Sequence, residues 1–210
     1  MSHETLPNEL AQLGVATVYE ASGRQGLIDV PLLPVLPGKR AAGPALTVAC
    51  GQDDNLAVHA CIEHIQPGSI VVITMPESRP VGLIGELLVV QMKVRGAAGV
   101  LIDAAVRDRQ ELEELGLPIW TRFLRVRGAT KEGPIAIGSA VTIGGARING
   151  GDTIVLDDDG AVVVGAADVQ RVLEAARQRA QRERAMRERL ERGEMSFDIH
   201  GLRKKVGDPR

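Results

Sequence analysis

Aromatic side chains are almost missing from this 210-residue chain: Tyr19, Trp120, Phe123 and Phe197 are the whole set, 2% of the residues. Proteins that bind single-stranded nucleic acid stack bases on such rings inside a basic groove. The basic surplus is missing too, since Lys+Arg number 25 against Asp+Glu 27, a formal charge of −2. A nucleic-acid partner is therefore not expected. Cysteine is equally scarce. Cys50 and Cys61 form no Cys-x-x-Cys pair, so they offer neither a thiolate zinc site nor a disulfide framework. Two free thiols suit a reducing cytosol. No apolar run nears the roughly 18 residues that a membrane helix needs. The stretch Met1-Ser2-His3-Glu4-Thr5-Leu6-Pro7 lacks the basic-then-apolar order of a signal peptide. The expectation is a soluble, cytoplasmic protein with no membrane partner.

What is present suffices for one well-buried core: hydrophobic residues reach 44%, and the length argues against a second domain. Residues 1–192 read as a single α/β domain and residues 193–210 as a tail. Residues 8–23 carry Leu10, Leu13, Val15, Val18 and Ala21 at helical spacing. Pro31, Pro34 and Pro37-Gly38 then impose loop and extended chain. Residues 45–50 read as a strand. Asp53 or Asp54 can cap a helix that reaches Ile65 and ends at Pro67-Gly68. Residues 69–74 are a β-branched run bounded by turn residues, a buried strand, and residues 75–85 read as a loop.

The next unit carries more information. A helix is expected over residues 85–95, with Glu86 at its start and Gly96 at its stop. Gly99-Val100-Leu101-Ile102-Asp103 is a short apolar strand, and a further helix begins near Gln110. In such β-α-β-α order the carboxyl end of the strand opens beside a helix start, the usual place for a ligand. Beyond Leu117, Gly-punctuated strands at 135–137, 140–143, 152–156 and 161–164 suggest a sandwich or barrel-like β layer, with a hairpin at Asp157-Asp158-Asp159-Gly160. A long helix over 167–191 closes the domain. Its eight Arg and four Glu between positions 169 and 192 read as a solvated, salt-bridged face or a subunit contact.

Arg107 and Asp108 follow the strand ending at Asp103, and Glu86 lies 21 positions before Arg107. Arginine presents a planar fork that matches a carboxylate or an enolate oxygen. Asp and Glu present hard oxygens suited to Mg²⁺ or Mn²⁺. The helix start after Gly85 adds amide N–H groups at Leu87 and Leu88 without helical partners, which favour an anion. Together they would form a receptor for an α-keto acid. From spacing alone, an ordinary Arg–Asp surface pair with a dipole-stabilised Glu explains these residues equally well.

Three runs shift that balance: Gly85-Glu86-Leu87-Leu88, Arg95-Gly96-x-x-Gly99, and Ile102-Asp103-x-x-Val106-Arg107-Asp108. They resemble the motif of the RraA-like superfamily, which includes class II pyruvate aldolases acting on 4-hydroxy-4-methyl-2-oxoglutarate and 4-carboxy-4-hydroxy-2-oxoadipate. The likeness continues through Asp54-Asn55, His59, Gly128-Ala129-Thr130-Lys131 and Gly150-Gly151-Asp152. The stretches Thr17-Val18-Tyr19-Glu20 and Gly193-Glu194-Met195-Ser196-Phe197 resemble the aldolase branch in particular. Those aldolases carry Asp where this chain has Glu86.

The resemblance implies a layered β/β/α, swivelling-domain-like sandwich with a central β core, flanking helices and a C-terminal helix plus tail. It implies that Asp108 ligates a divalent metal, Mg²⁺ or Mn²⁺, with Glu86 reaching it directly or through water. Arg107 and the segment Gly85, Glu86, Leu87 and Leu88 would bind the pyruvyl oxygens of a small keto-acid substrate. Glu194, from a neighbouring subunit on which the tail docks, would reach the distal end of the substrate, with Glu20 a weaker candidate there. The implied assembly is a homo-oligomer, a trimer or hexamer, and oxaloacetate decarboxylation is the implied side activity. The alternatives are a non-catalytic regulator of an RNA-processing enzyme and a dedicated oxaloacetate decarboxylase.

Other residues point to chemistry less strongly. His59 and His64, five apart on a helix, cannot share a metal, although His59 could line the site. Lys131 lacks a readable desolvating environment for a Schiff base, and a solvated lysine or one touching a substrate carboxylate fits better.

Overall fold

The computed structural model describes residues 5–206. In chain order the elements are α1 (Thr5–Leu13), α2 (Val15–Ala21), β1 (Leu33–Pro34), β2 (Ala41–Ala49), α3 (Leu56–Cys61), β3 (Ile70–Thr74) and β4 (Gly82–Ile84). There follow α4 (Glu86–Val94), β5 (Gly99–Val106), α5 (Arg109–Leu115), β6 (Ile119–Leu124), β7 (Ala136–Ile137), β8 (Val141–Ile143) and β9 (Ala146–Ile148). The last are β10 (Thr153–Asp157), β11 (Gly160–Val164), α6 (Val169–Glu191), α7 (Ser196–Ile199) and α8 (Arg203–Val206).

Parallel strands buried on both faces read as unbroken apolar runs, and β3 and β5 are such strands. Alternation still sorts their side chains. Val71, Ile73, Val100 and Ile102 face the helices, against Val58 of α3, Val89 and Met92 of α4 and Leu112 of α5. Their neighbours Ile70, Val72 and Leu101 point the other way, into a second core with Trp120, Val141, Ile148, Ile154, Leu156 and Val163. A third core joins Leu10, Val15, Val18 and Leu173 of the terminal helices to Val155, Val162 and Val164. The fold is thus the expected layered α/β arrangement, two β layers with helices outside them.

Both β layers belong to one sheet of order β1-β6-β5-β3-β2-β10-β11, with β4 on β5 and β7 on β2. The nine-residue strand β2 makes this possible. Its first half, Ala41 to Pro44, pairs antiparallel with β10, and its second half, Ala45 to Ala49, pairs parallel with β3. One strand therefore passes from one layer to the other. The aspartate hairpin forms as expected, with Asp157 opposite Gly160.

Three local expectations need correction. The helix expected over residues 8–23 breaks at Gly14, whose φ of 85° no ordinary side chain adopts easily. The N–H of Val15 there donates to the buried Asp157 Oδ2 at 2.8 Å, starting α2 afresh. The strand expected to end at Asp103 runs on to Val106. Asp103 is mid-strand and pairs with Arg122 of β6 at 3.1 Å, so it takes no part in a strand-end site. This longer β5 also gives the expected loop at 75–85 a partner, and Gly82-Leu83-Ile84 becomes the buried strand β4. Among the described residues no helix is long and apolar enough to cross a membrane.

Candidate active site

Arg107 and Asp108 form the turn from β5 into α5. Asp108 is held at φ 61°, ψ 47°, the left-handed region that aspartate tolerates better than most residues. This conformation turns its carboxylate toward the start of α4, where Oδ2 accepts the Glu86 N–H at 3.1 Å. Arg107 is anchored through its backbone N–H, which donates to Ile84 O at 3.1 Å. Its guanidinium Nε lies 3.7 Å from Asp108 Oδ2, a loose contact that leaves most of its fork open.

Glycines make this approach possible. A methyl group at Gly85 would overlap Asp108 Oδ2 and lie 3.0 Å from Arg107 Cγ. At Gly128 it would sit 3.3 Å from an Arg107 terminal nitrogen. Gly85 also has no side chain to cap α4. The Glu86 amide goes to Asp108, while Leu87 and Leu88 border the cavity at the first turn, the positive end of the helix dipole.

The cavity measures about 230 Å³. Gly85, Leu87, Leu88, Arg107 and Asp108, singled out from the sequence, all line it. Asn55, used from the sequence only as a family-like position, lines it too, as do His59 and Lys131, which the sequence offered as weaker candidates for the site. Asn55 donates from Nδ2 to Leu83 O at 2.8 Å, and its buried Oδ1 has no hydrogen-bond partner among the described residues. Partial burial and the neighbouring Lys131 ammonium hold the His59 imidazole below its ordinary pKa. His59 and Lys131 lie 72 positions apart, and no local signal in the chain could have brought them together.

Two sequence candidates lie elsewhere. Glu86 stands at the rim of the helix start, and its side chain is not among the groups lining the cavity. Glu194 is engaged within its own chain by Arg189 at 2.6 Å and Arg192 at 3.5 Å, and the Arg189 hydrogen bond holds its carboxyl below the usual range. It does not line this cavity either. Glu20 pairs with Arg24 and with Arg179 of α6. Among the described residues no three His, Cys, Asp or Glu side chains converge. Asp108, with Glu86 next to it in space, could offer two carboxylates as hard oxygen ligands.

Comparison with known proteins gives the family. The model of the RraA-like family, described as Aldolase/RraA, matches residues 15–163. A Halalkalibacterium halodurans protein named "Putative 4-hydroxy-4-methyl-2-oxoglutarate aldolase" is 31% identical over 146 residues, 70% of this chain and 70% of its own. A Burkholderia multivorans protein of the same name is 32% identical over 143 residues, 68% of this chain and 87% of its own. Among solved structures, Streptomyces coelicolor RraAS2, described as an unusual member of the RNase ES inhibitor RraA protein family, is 31% identical. It superposes with a TM-score of 0.79 over 88% of this chain and 98% of its own. On the family model that matches residues 15–163 and on these relatives, the chain belongs to the RraA-like, Aldolase/RraA family.

Proposed function

We propose that this protein is a divalent-metal-dependent aldolase that cleaves 4-hydroxy-4-methyl-2-oxoglutarate, or 4-carboxy-4-hydroxy-2-oxoadipate, and releases pyruvate. The observation that carries the reading is the meeting of Arg107, Asp108 and the first turn of α4 in one cavity. The two curated relatives named for this reaction support it. The donor set fits Mg²⁺ or Mn²⁺, ions that take one or two carboxylates and leave their other positions to water and substrate. Asp108 would hold the ion, with Glu86 assisting, and the ion would supply Lewis-acid polarisation of the α-keto acid.

The residues of the chain then have defined work. The Leu87 and Leu88 amides and the Arg107 fork receive the carboxylate and keto oxygens of the substrate and orient them. Loss of the C4 hydroxyl proton breaks the C3–C4 bond, whose electron pair passes into C3 and the keto group as an enolate. Arg107 gains interaction as negative charge grows on that oxygen, which is stabilisation of the transition state over the ground state. Glu194 from a second copy, in a homo-oligomer, would serve the distal end, where the hydroxyl proton leaves. Protonation of the enolate at C3 yields pyruvate. Oxaloacetate decarboxylation passes through the same enolate and is proposed as a side activity.

The test is pyruvate release from both aldol substrates and from oxaloacetate, with and without Mg²⁺ or Mn²⁺. Chelation should abolish turnover and added cation should restore it. Chelator-resistant activity that borohydride traps covalently would instead indicate an amine mechanism. The RraAS2 likeness favours a second reading, regulation of an RNA-processing enzyme. That reading gains if all three substrates stay untouched while the protein inhibits an endoribonuclease.

A further inference from the structure

We infer that Asp54, outside the cavity, is a positioning residue that holds Lys131 in place within it. Asp54 is 2% exposed, and its carboxylate joins two loops. Oδ1 accepts the Leu56 N–H at 2.8 Å, at the start of α3. Oδ2 accepts the Thr130 hydroxyl at 2.7 Å and the Glu132 N–H at 2.6 Å. The two residues that flank Lys131 are therefore bound to one oxygen atom. The backbone repeats the connection, with Asn55 N–H donating to Thr130 O at 2.9 Å and Thr130 N–H to Asp53 O at 3.0 Å. Gly133 completes the fit: a methyl there would lie 2.8 Å from Asp54 Oδ1.

The consequence falls on the cavity. Lys131 has no carboxylate partner among the described ion pairs, so its placement comes from its backbone rather than from its own side chain. α3, whose start Asp54 binds, carries His59, which lines the same cavity as Lys131. One buried carboxylate thus sets the distance between the Lys131 ammonium and the His59 imidazole. Charged-acceptor hydrogen bonds are the strong class, and three converging on Asp54 make the spacing stiff. The other charged groups lining this cavity are Arg107 and Asp108, which the clamp does not touch.

The readout is the His59 titration midpoint, followed by NMR and assigned with His59→Gln. It requires no substrate, and only a second readout rests on the proposed reaction. Lys131→Met removes the facing charge, so it should raise the midpoint and set the scale. Asp54→Asn replaces an acceptor with a group that cannot accept from both loops, and it should reproduce most of that rise although Lys131 is intact. Gly133→Ala and Thr130→Val loosen the same clamp without altering its charge, and both should move the midpoint in the same direction. A folded Asp54→Asn protein with the wild-type midpoint overturns the inference. If that variant does not fold, unchanged midpoints in both Gly133→Ala and Thr130→Val overturn it equally. With an active aldolase, the clamp variants should raise KM about ten-fold, the scale of one lost charged contact, with kcat little changed. A wild-type protein inactive on all three substrates would count against the proposed reaction and leave the midpoint test standing.

Discussion

Gly85 is extended rather than left-handed, at φ −147°, so its backbone alone would accept any residue. Space decides the matter: a side chain there collides with the Asp108 carboxylate and the Arg107 stem. Gly85→Ala is therefore expected to leave the fold intact while pushing the pair out of position. Circular dichroism should be unchanged and kcat/KM should fall about 100-fold or more, the scale for displacing a charge-stabilising group. Arg107→Lys keeps the charge and loses the fork, so a similar ~100-fold fall is expected, visible in kcat as well as KM. Near-normal kinetics in the lysine variant would make Arg107 a structural residue. Arg107 and Asp108 stood out as neighbours of complementary chemistry. Asn55 did not, and His59 and Lys131 stood out only weakly, because a common amide, an imidazole and an ammonium acquire meaning only from what faces them.

The segments around the cavity draw stability from polar contacts as well as from apolar burial, and this makes them sensitive to acid. Burial alone would raise the Asp54 carboxyl, but the hydrogen bonds from Glu132, Leu56 and Thr130 outweigh it and hold the pKa at about 2. Its folded value lies below an unfolded value near 4, so the unfolded chain binds the proton more readily. The contribution is fully present above about pH 5 and is lost as the pH falls from about 4 toward 2, on the order of 2 kcal/mol. Denaturant unfolding across that range should show this loss in the wild type and less of it in Asp54→Asn. Equal acid sensitivity in the two proteins would mean that other carboxylates carry the effect. Elements such as β3 and α4 were readable because their period and their stop signals are local. The break at Gly14 was not, because Asp157, which starts α2, lies 142 residues from Val15.

The long helix α6 buries Val172, Leu173 and Ala176 in its first turns and is tied to α1 by the Arg177–Glu9 ion pair at 2.5 Å. Beyond that pair it offers almost nothing apolar to its own domain. Leu190 and Met195 are 40% and 54% exposed, and Leu87 and Val94 on α4 are 77% and 80% exposed. Large apolar groups left in water gain about 1.5–3 kcal/mol each when a second copy covers them. This agrees with the proposed homo-oligomer. Truncation after Arg192 should then cost activity while the remaining domain stays folded. Inactive Arg107→Ala and inactive Glu194→Ala subunits, mixed under conditions of verified exchange, should recover part of it. A mixture that stays inactive, or a fully active monomer, would show that each chain builds its site alone.

Composition and local pattern alone determined that the chain builds a layered α/β fold, where β3, α4, α5, β10 and β11 lie, and that Arg107 and Asp108 sit between a strand and a helix. These are short-range properties: periodicity within a few turns, and residues adjacent along the chain. Only the tertiary structure decided that β2 links both β layers, that β5 continues past Asp103, and that Asn55, His59 and Lys131 join the cavity. Each of those depends on a partner remote along the chain, β10, β4 and the loop around Lys131, and hydrogen bonds or packing between distant segments leave no periodic trace in sequence. Glu194 pairs locally with Arg189, and its proposed role in catalysis would require a second copy of the chain.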